Sequence, residues 1–191
     1  MNDKVTNTPM QRIEPDAMPD DLRAAWEHSM ALRGDATFFE VFASHPELYR
    51  WYTQSFYGEV FHGGLVSRRI KELVRLRLST MHGCRFCNQG NRVDAMAAGL
   101  TAADIEALDD YPASSLGADE KAALRLADEM LLTNPGGELD EELYNELRRH
   151  FTDAQILELG VVLGVLAGMA KFLFAFDLVA KETNCPIHPA K

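Results

Sequence analysis

The sequence predicts an all-α protein, and three observations carry that reading. Apolar residues recur at three- and four-residue spacing in one segment after another. Glycines, prolines and Ser, Thr or Asp capping signals fall between those segments. No stretch keeps the apolar–polar alternation of a strand. A chain of 191 residues, 47% hydrophobic and 25% charged, is long enough for one domain with a real core. The expected boundaries are an extended arm over 1–19, a helical domain over 20–185 and a short tail over 186–191.

The elements follow in order. Pro9, Pro15 and Pro19 discourage helix in the arm. Asp20 or Asp21 then offers a cap for a helix to about Leu32, ended by Gly34. Ser44-His45-Pro46-Glu47 reads as a capping box with proline in the first turn, opening a helix through about Phe61 that Gly63 and Gly64 stop. Over 65–81, Val66, Ile70, Leu73 and Val74 share a helical face, and Gly83 ends the segment. Cys84 opens the next helix, which reaches Ala98 and stops at Gly99. Thr101 and Asp104 cap a short helix, 111–117 reads as a loop, and 118–133 as a helix. Asn134-Pro135-Gly136-Gly137 is a turn, followed by a helix over 139–150. Thr152 and Gln155 cap the last helix, expected to run to about Lys181, because Pro186 and Pro189 forbid continuation. Gly160, Gly164 and Gly168 fall on one face of it. Each costs about 1 kcal/mol of helix propensity against alanine, so that face predicts a close helix approach, within the subunit or across a dimer.

Charge and composition narrow the function classes. Nineteen basic against 29 acidic residues give a net charge of −10, which opposes a nucleic-acid role because phosphates must be neutralised by Lys and Arg. The apolar run over 159–170 falls short of the roughly 20 residues that span a bilayer, and the first residues lack a secretory leader's apolar stretch. The expectation is a cytoplasmic protein that handles small neutral or cationic molecules, with neither membrane nor nucleic acid as partner. Three cysteines, two closely spaced, do not form a secreted disulfide framework. In a reducing compartment such a pair reads as catalytic or metal-binding.

The chemistry is concentrated over 71–91. Cys84-Arg85-Phe86-Cys87 lies at a helix start, where unpaired N–H groups and the positive dipole end favour thiolate over thiol. The thiolate is the nucleophile, and a second sulfur three residues away is placed to resolve a sulfenic acid or mixed disulfide. Asn91 shares a helix face with Cys87 and Cys84. The Gly83 break folds two helices back on each other, which sets the turn holding Glu72 and Arg75 opposite Asn91 and Asp94. Glu72 is thus a candidate proton acceptor, provided burial raises its pKa; the alternative is an ion pair with Arg68, Arg69 or Arg75. His82 is either a proton carrier beside the pair or a complement to a helix C-terminus. The candidate catalytic set is Cys87, Cys84, Glu72, Asn91 and His82, with no cofactor. A rival is structural: Cys84, Cys87, Cys185 and His188 have the ligand count of a Cys3His zinc site, while Cys185 also reads as a free or auxiliary thiol. The aromatic residues Phe38, Phe39, Phe42, Trp51, Tyr52, Phe56, Tyr57 and Phe61 are core, or line an apolar pocket beside the cysteines. Arg68, Arg69, Lys71, Arg75 and Arg77 form a basic stripe expected to pair with acidic helices.

Glu72, Cys84, Cys87, Ala95, Gly99 and Thr101 fall in one register, flanked by a proline-studded arm, Ser44-His45-Pro46-Glu47-Leu48 and Thr152-Asp153-Ala154-Gln155-Ile156. In these features the chain resembles the AhpD-like alkylhydroperoxidase/carboxymuconolactone decarboxylase family. The resemblance implies an AhpD-like helical fold, homo-oligomers and reduction of a small-molecule peroxide or disulfide as antioxidant defence. It further implies that Cys87 attacks peroxide, Cys84 condenses with the sulfenic acid, a dithiol protein or small thiol reduces the disulfide, and Glu72 belongs to a proton relay. The family's relay histidine falls at Asn91, an amide that cannot shuttle protons near neutral pH; dithiol–disulfide exchange needs less of that relay. The decarboxylase branch does not depend on a cysteine pair, so it ranks behind the redox reading.

Overall fold

The computed structural model describes residues 6–187, and among these every regular element is helical. Residues 1–5 of the arm and 188–191 of the tail, His188 included, lie outside the described residues. The arm from Thr6 onward carries one regular element, the 3-10 turn Pro15–Ala17, with Glu14 and Met18 extended on either side of it. It is fastened to the body: the Ile13 amide donates to the Glu40 carbonyl at 3.0 Å, and the Thr6 and Thr37 hydroxyls meet at 2.7 Å.

Helix α1 is Asp20–Arg33, and Gly34 at φ 70° ends it as expected. Its cap differs from expectation. Pro19 holds the N-cap position, and Asp20 and Asp21 lie in the first turn, pairing with Arg23 and Arg50. A short α2, Thr37–Phe42, buries Phe38, Val41 and Phe42. Ser44 does not cap α3, Pro46–Arg50: its hydroxyl donates to the Val41 carbonyl, finishing α2, and His45 Nδ1 accepts the Leu48 amide in its place.

The largest departure from expectation follows α3. From Trp51 to Gly63 the chain is a π-helix rather than a continued α-helix. Its i→i+5 bonding brings residues five apart onto one face. The far end is held by Lys71, fully buried, which donates to the Val60 carbonyl at 2.6 Å and the Gly63 carbonyl at 3.2 Å while pairing with Glu158.

Helix α4, Arg68–Met81, opens on a Ser67 cap and runs through the middle of the molecule. It packs against α5 (Arg85–Ala97), α7 (Ala118–Glu129) and α9 (Asp153–Ala175). Leu73, Leu124 and Leu159 are fully buried where these helices meet. Capping boxes at Thr101 and Thr152 open α6 (Ala102–Glu106) and α9 as the sequence predicts. Helix α7 ends at Glu129, and α8 is Glu141–Leu147, both shorter than expected. The basic stripe pairs within the chain: Arg69 with Asp104 and Glu120, and Arg77 with Asp128.

Helix α9 stops at Ala175, not near Lys181. Asp177 takes a left-handed φ of 53°, and the Leu178 amide donates to the Leu173 carbonyl at 2.9 Å, a Schellman closure. The reason is burial: Leu178 and Val179 turn back into a second apolar cluster with α1, α2 and the cysteines. The glycine face of α9 is open within the chain. Among the described residues, no atom from beyond the helix's own backbone lies within 4 Å of a Cβ built at Gly160 or Gly168, and the tip of Met130 alone approaches Gly164, at 3.8 Å. The expected close approach within the subunit does not occur.

Candidate active site

The hinge between α4 and α5 needs glycine. Gly83 has φ 68°, and a Cβ there would stand 2.7 Å from the Cys185 Cα. The chain after α9 crosses this hinge, with Glu182 donating its amide to the Gly83 carbonyl at 2.8 Å and Phe86 donating to the Ala180 carbonyl at 3.1 Å. Cys84 is the N-cap of α5, and its sulfur accepts the Cys87 amide at 3.2 Å. The two cysteines are joined as a disulfide, their Cα atoms 5.2 Å apart. They are not equivalent: Cys84 is 1% exposed, whereas Cys87 is half-buried.

Two chambers adjoin at Cys87. The inner one, about 60 Å³, is lined by Cys84, Cys87, His82, Ser79, Asn91 and Arg75. The outer one, about 360 Å³, shares Cys87, Asn91, Arg75, Tyr52 and Tyr57 and widens among Phe38, Phe39, Tyr49 and Phe86. The π-helix supplies Tyr52, Tyr57 and His62 to the wall, spaced five apart, and Tyr52 and Tyr57 meet edge to face at 5.1 Å. In an α-helix these positions would diverge around the axis. The i→i+5 geometry aligns them here, which a 3.6-residue period does not.

Four of the five sequence-predicted residues, Cys84, Cys87, Asn91 and His82, line the inner chamber. Glu72 lines neither chamber. It is fully buried, hydrogen-bonded by Arg75 Nη2 and by Arg68 Nε at 3.4 Å, so the ion-pair alternative describes its contacts. Burial raises the Glu72 pKa against the opposing pull of Arg75. Arg75, which the sequence offers as an ion-pair partner of Glu72 but not as a residue of the site, bonds this carboxylate and lines the chamber that holds the sulfurs. Its Nη2 also donates to Asp94 at 3.0 Å, and its guanidinium lies 4.9 Å from the Phe61 ring centroid. Burial works against the Arg75 charge, but Tyr57, Glu72 and Asp94 outweigh it and hold its pKa above the ordinary value. His82 is completely buried; its Nε2 accepts the Leu132 amide at 3.0 Å, and burial pushes its pKa down to about 4. It is therefore neutral at pH 7, with the remaining proton on Nδ1.

The tail does return to the cysteines, as the zinc reading required, but the chemistry there differs. Cys84 and Cys87 are bonded to each other, and the buried Cys185 donates its thiol to the His82 carbonyl at 3.1 Å. Among the described residues no three metal-ligating side chains converge.

The body is all-helical, with a helix-start disulfide at the edge of a partly open cavity walled by aromatic residues. Comparison with known proteins makes the assignment specific. Residues 46–129 match the carboxymuconolactone decarboxylase family. The chain is 31% identical over 99 residues to the uncharacterized protein YdfG of Bacillus subtilis strain 168, covering 51% of this chain and 67% of that one. It belongs to the AhpD-like/carboxymuconolactone decarboxylase family. Solved structures share the fold. A peroxidase-related protein with an alkylhydroperoxidase AhpD core, from Ralstonia eutropha JMP134, superposes with a TM-score of 0.71 at 16% identity over 93% of both chains. A putative antioxidant defence protein AhpD from Agrobacterium tumefaciens gives 0.61 at 24% identity over 71% of this chain and 91% of that one. The debrominase Bmp8 gives 0.70 at 18% identity over 92% and 93%. The family contains enzymes of more than one chemistry.

Proposed function

We propose that this protein is a cysteine-based reductase of small hydroperoxides, with Cys87 as the attacking residue and Cys84 as the resolving one. The observation that carries this reading is the position of the pair where the two chambers adjoin, with only Cys87 facing the outer one. In the reduced protein the Cys87 thiolate attacks the distal peroxide oxygen. An S–O bond forms, the O–O bond breaks, and the alkoxide leaves, taking a proton from water. Cys84 then attacks the Cys87 sulfur, the S–S bond forms, and the sulfenic oxygen departs as water. A dithiol donor reduces the disulfide and is itself oxidised. Arg75 and the start of α5 stabilise the thiolate, and Glu72 acts through Arg75 as a positioning residue. Asn91 contributes hydrogen bonding without proton transfer.

The chambers favour a small hydroperoxide as the oxidising substrate, because their combined space beside the half-buried Cys87 suits a small molecule. An aromatic organic group suits the outer walls, and the fold relative Bmp8 was solved with 2,3,4-tribromopyrrole. The same reading places the protein in the reducing cytoplasm as a homo-oligomer. The subunit contact is the open face of α9, where Leu157, Val161 and Gly164 are exposed.

The test is an anaerobic thiol count before and after one equivalent of cumene hydroperoxide. Two thiols per chain should disappear and the buried Cys185 should survive. Cys87→Ser should abolish peroxide consumption, and Cys84→Ser should leave a sulfenic acid that dimedone traps on Cys87. Thiols that resist oxidation in a folded protein would overturn the redox reading, and the reverse mutant pattern would exchange the two roles.

A further inference from the structure

Arg33 closes α1 and forms no ion pair with any described residue, in a chain whose acidic residues outnumber basic ones by 29 to 19. The other arginines in that position, Arg85, Arg92 and Arg149, are exposed and hydrated; Arg33 is half-buried in the wall of the outer chamber. Its guanidinium is immobilised. Nε donates to the Phe86 carbonyl at 3.1 Å, Nη1 to the Ser29 hydroxyl at 3.4 Å, and the group lies 4.5 Å from the Phe86 ring centroid. Nη2 rests on α5 at Gly90, where a Cβ would stand 1.9 Å away. A mid-helix glycine costs about 1 kcal/mol against alanine, and here its effect is to let a cation lie against the helix that carries Cys87.

The nearby carboxylates form no ion pair with Arg33, although Asp94 lines the same chamber and the buried Oδ2 of Asp35 has no hydrogen-bond partner. Asp94 accepts from Arg75, and Asp35 Oδ1 accepts the Thr37 amide and hydroxyl. Burial lowers the Arg33 pKa despite the fields of Asp94 and Asp35, which is the mark of a cation losing hydration without a full counter-charge. A partly desolvated charge is costly unless something pairs with it. Around it lies an aromatic chamber of about 360 Å³, the size of a small-molecule site.

We infer that Arg33 is an anion subsite and that the outer chamber takes a ring-bearing substrate whose carboxylate pairs with Arg33 while the ring lies among Phe38, Tyr52, Tyr57 and Phe86. This deepens the proposed function and rests on the outer chamber being the substrate site of Cys87. It runs against the expectation of neutral or cationic ligands drawn from the net charge of −10. Charges spread over the surface are screened beyond about 10 Å at 0.1 M salt, so the fixed guanidinium at contact distance decides.

The experiment is calorimetric titration of the disulfide form with 1-naphthoate and with 1-naphthalenemethanol, which share a ring system and differ in charge. Since that form does not react with peroxide, the result is independent of whether Cys87 is a peroxidatic residue. Wild type should bind the acid about tenfold more tightly than the alcohol, the scale of one charge-assisted contact. Arg33→Met should remove the preference and Arg33→Lys should keep part of it, with alcohol affinity and melting temperature little changed. Gly90→Ala, which displaces Nη2 while Arg33 stays, should also reduce the preference and serves if Arg33→Met does not fold. Equal affinity for acid and alcohol in wild type, or a preference that survives either Arg33→Met or Gly90→Ala, overturns the inference.

Discussion

Cys87 and Arg75 share both chambers, and no carboxylate lines the inner one, where the two sulfurs lie. A fixed positive charge and a helix start both favour thiolate, so the reduced Cys87 should titrate below an ordinary thiol. Arg75→Met should raise that pKa and slow alkylation by iodoacetamide at pH 7; an unchanged pH–rate profile would remove Arg75 from the chemistry. Asn91 lines the same walls as Cys87, at the position where the resemblance implies a relay histidine. Asn91→His supplies the missing proton carrier, and general acid–base assistance is typically worth about 10²- to 10⁴-fold. Stopped-flow peroxide consumption should rise accordingly. No gain with either hydrogen peroxide or cumene hydroperoxide would show that proton supply is not limiting.

His82 makes a prediction of a different kind. Its folded pKa is about 4, against about 6.5 in an unfolded chain. Between those values the unfolded state binds a proton that the folded state refuses. Its contribution to stability is complete above about pH 6.5 and is lost as pH falls to about 4, on the order of 3 kcal/mol in all. Glu72 has the opposite sign: with its pKa raised, it stabilises most when protonated and loses that contribution as pH rises through the raised value. His82→Gln keeps an acceptor for the Leu132 amide but does not titrate. Urea denaturation at pH 7 and pH 5 should therefore show a smaller acid loss in the variant than in wild type. Equal losses would place the acid sensitivity elsewhere.

At the scale of elements, α9 and the π-helix carry the testable content. The open face of α9 predicts that Gly164→Leu is tolerated within its own chain, since among the described residues the tip of Met130 alone comes within 4 Å of a Cβ there. In the proposed homo-oligomer the same side chain faces the subunit contact. Sedimentation should show dissociation without loss of helix; a profile that does not change places that face in solvent. The π-helix depends on i→i+5 geometry to align Tyr52, Tyr57 and His62. Deleting one residue within 53–56 should leave helix content by circular dichroism nearly constant yet rotate Tyr57 out of the wall, abolishing substrate binding. Retained binding would mean the aromatic wall is not the ligand site.

Over the whole molecule, the cysteine pair depends on a segment from the far end of the chain. Residues after α9 cross the Gly83 hinge, bond to Gly83 and Phe86, and bury Cys84. Removing residues 182–191 should expose Cys84 after reduction, so that maleimide labels both cysteines of the pair rather than chiefly Cys87. The sequence by itself determined the helical class, the caps at Thr101 and Thr152, the glycine stops and the helix-start cysteine pair with its family register. Those features are decided by residues within about four positions of one another, where capping and hydrogen-bond geometry are local. Only the tertiary structure decided that Glu72 is shielded by Arg75, that the aromatic residues align through a π-helix, that α9 yields to a buried turn, and that Arg33 reaches Phe86 across 53 residues of chain. Each of these is set by burial and by pairing between distant segments, and burial outweighs the local propensities that a sequence displays.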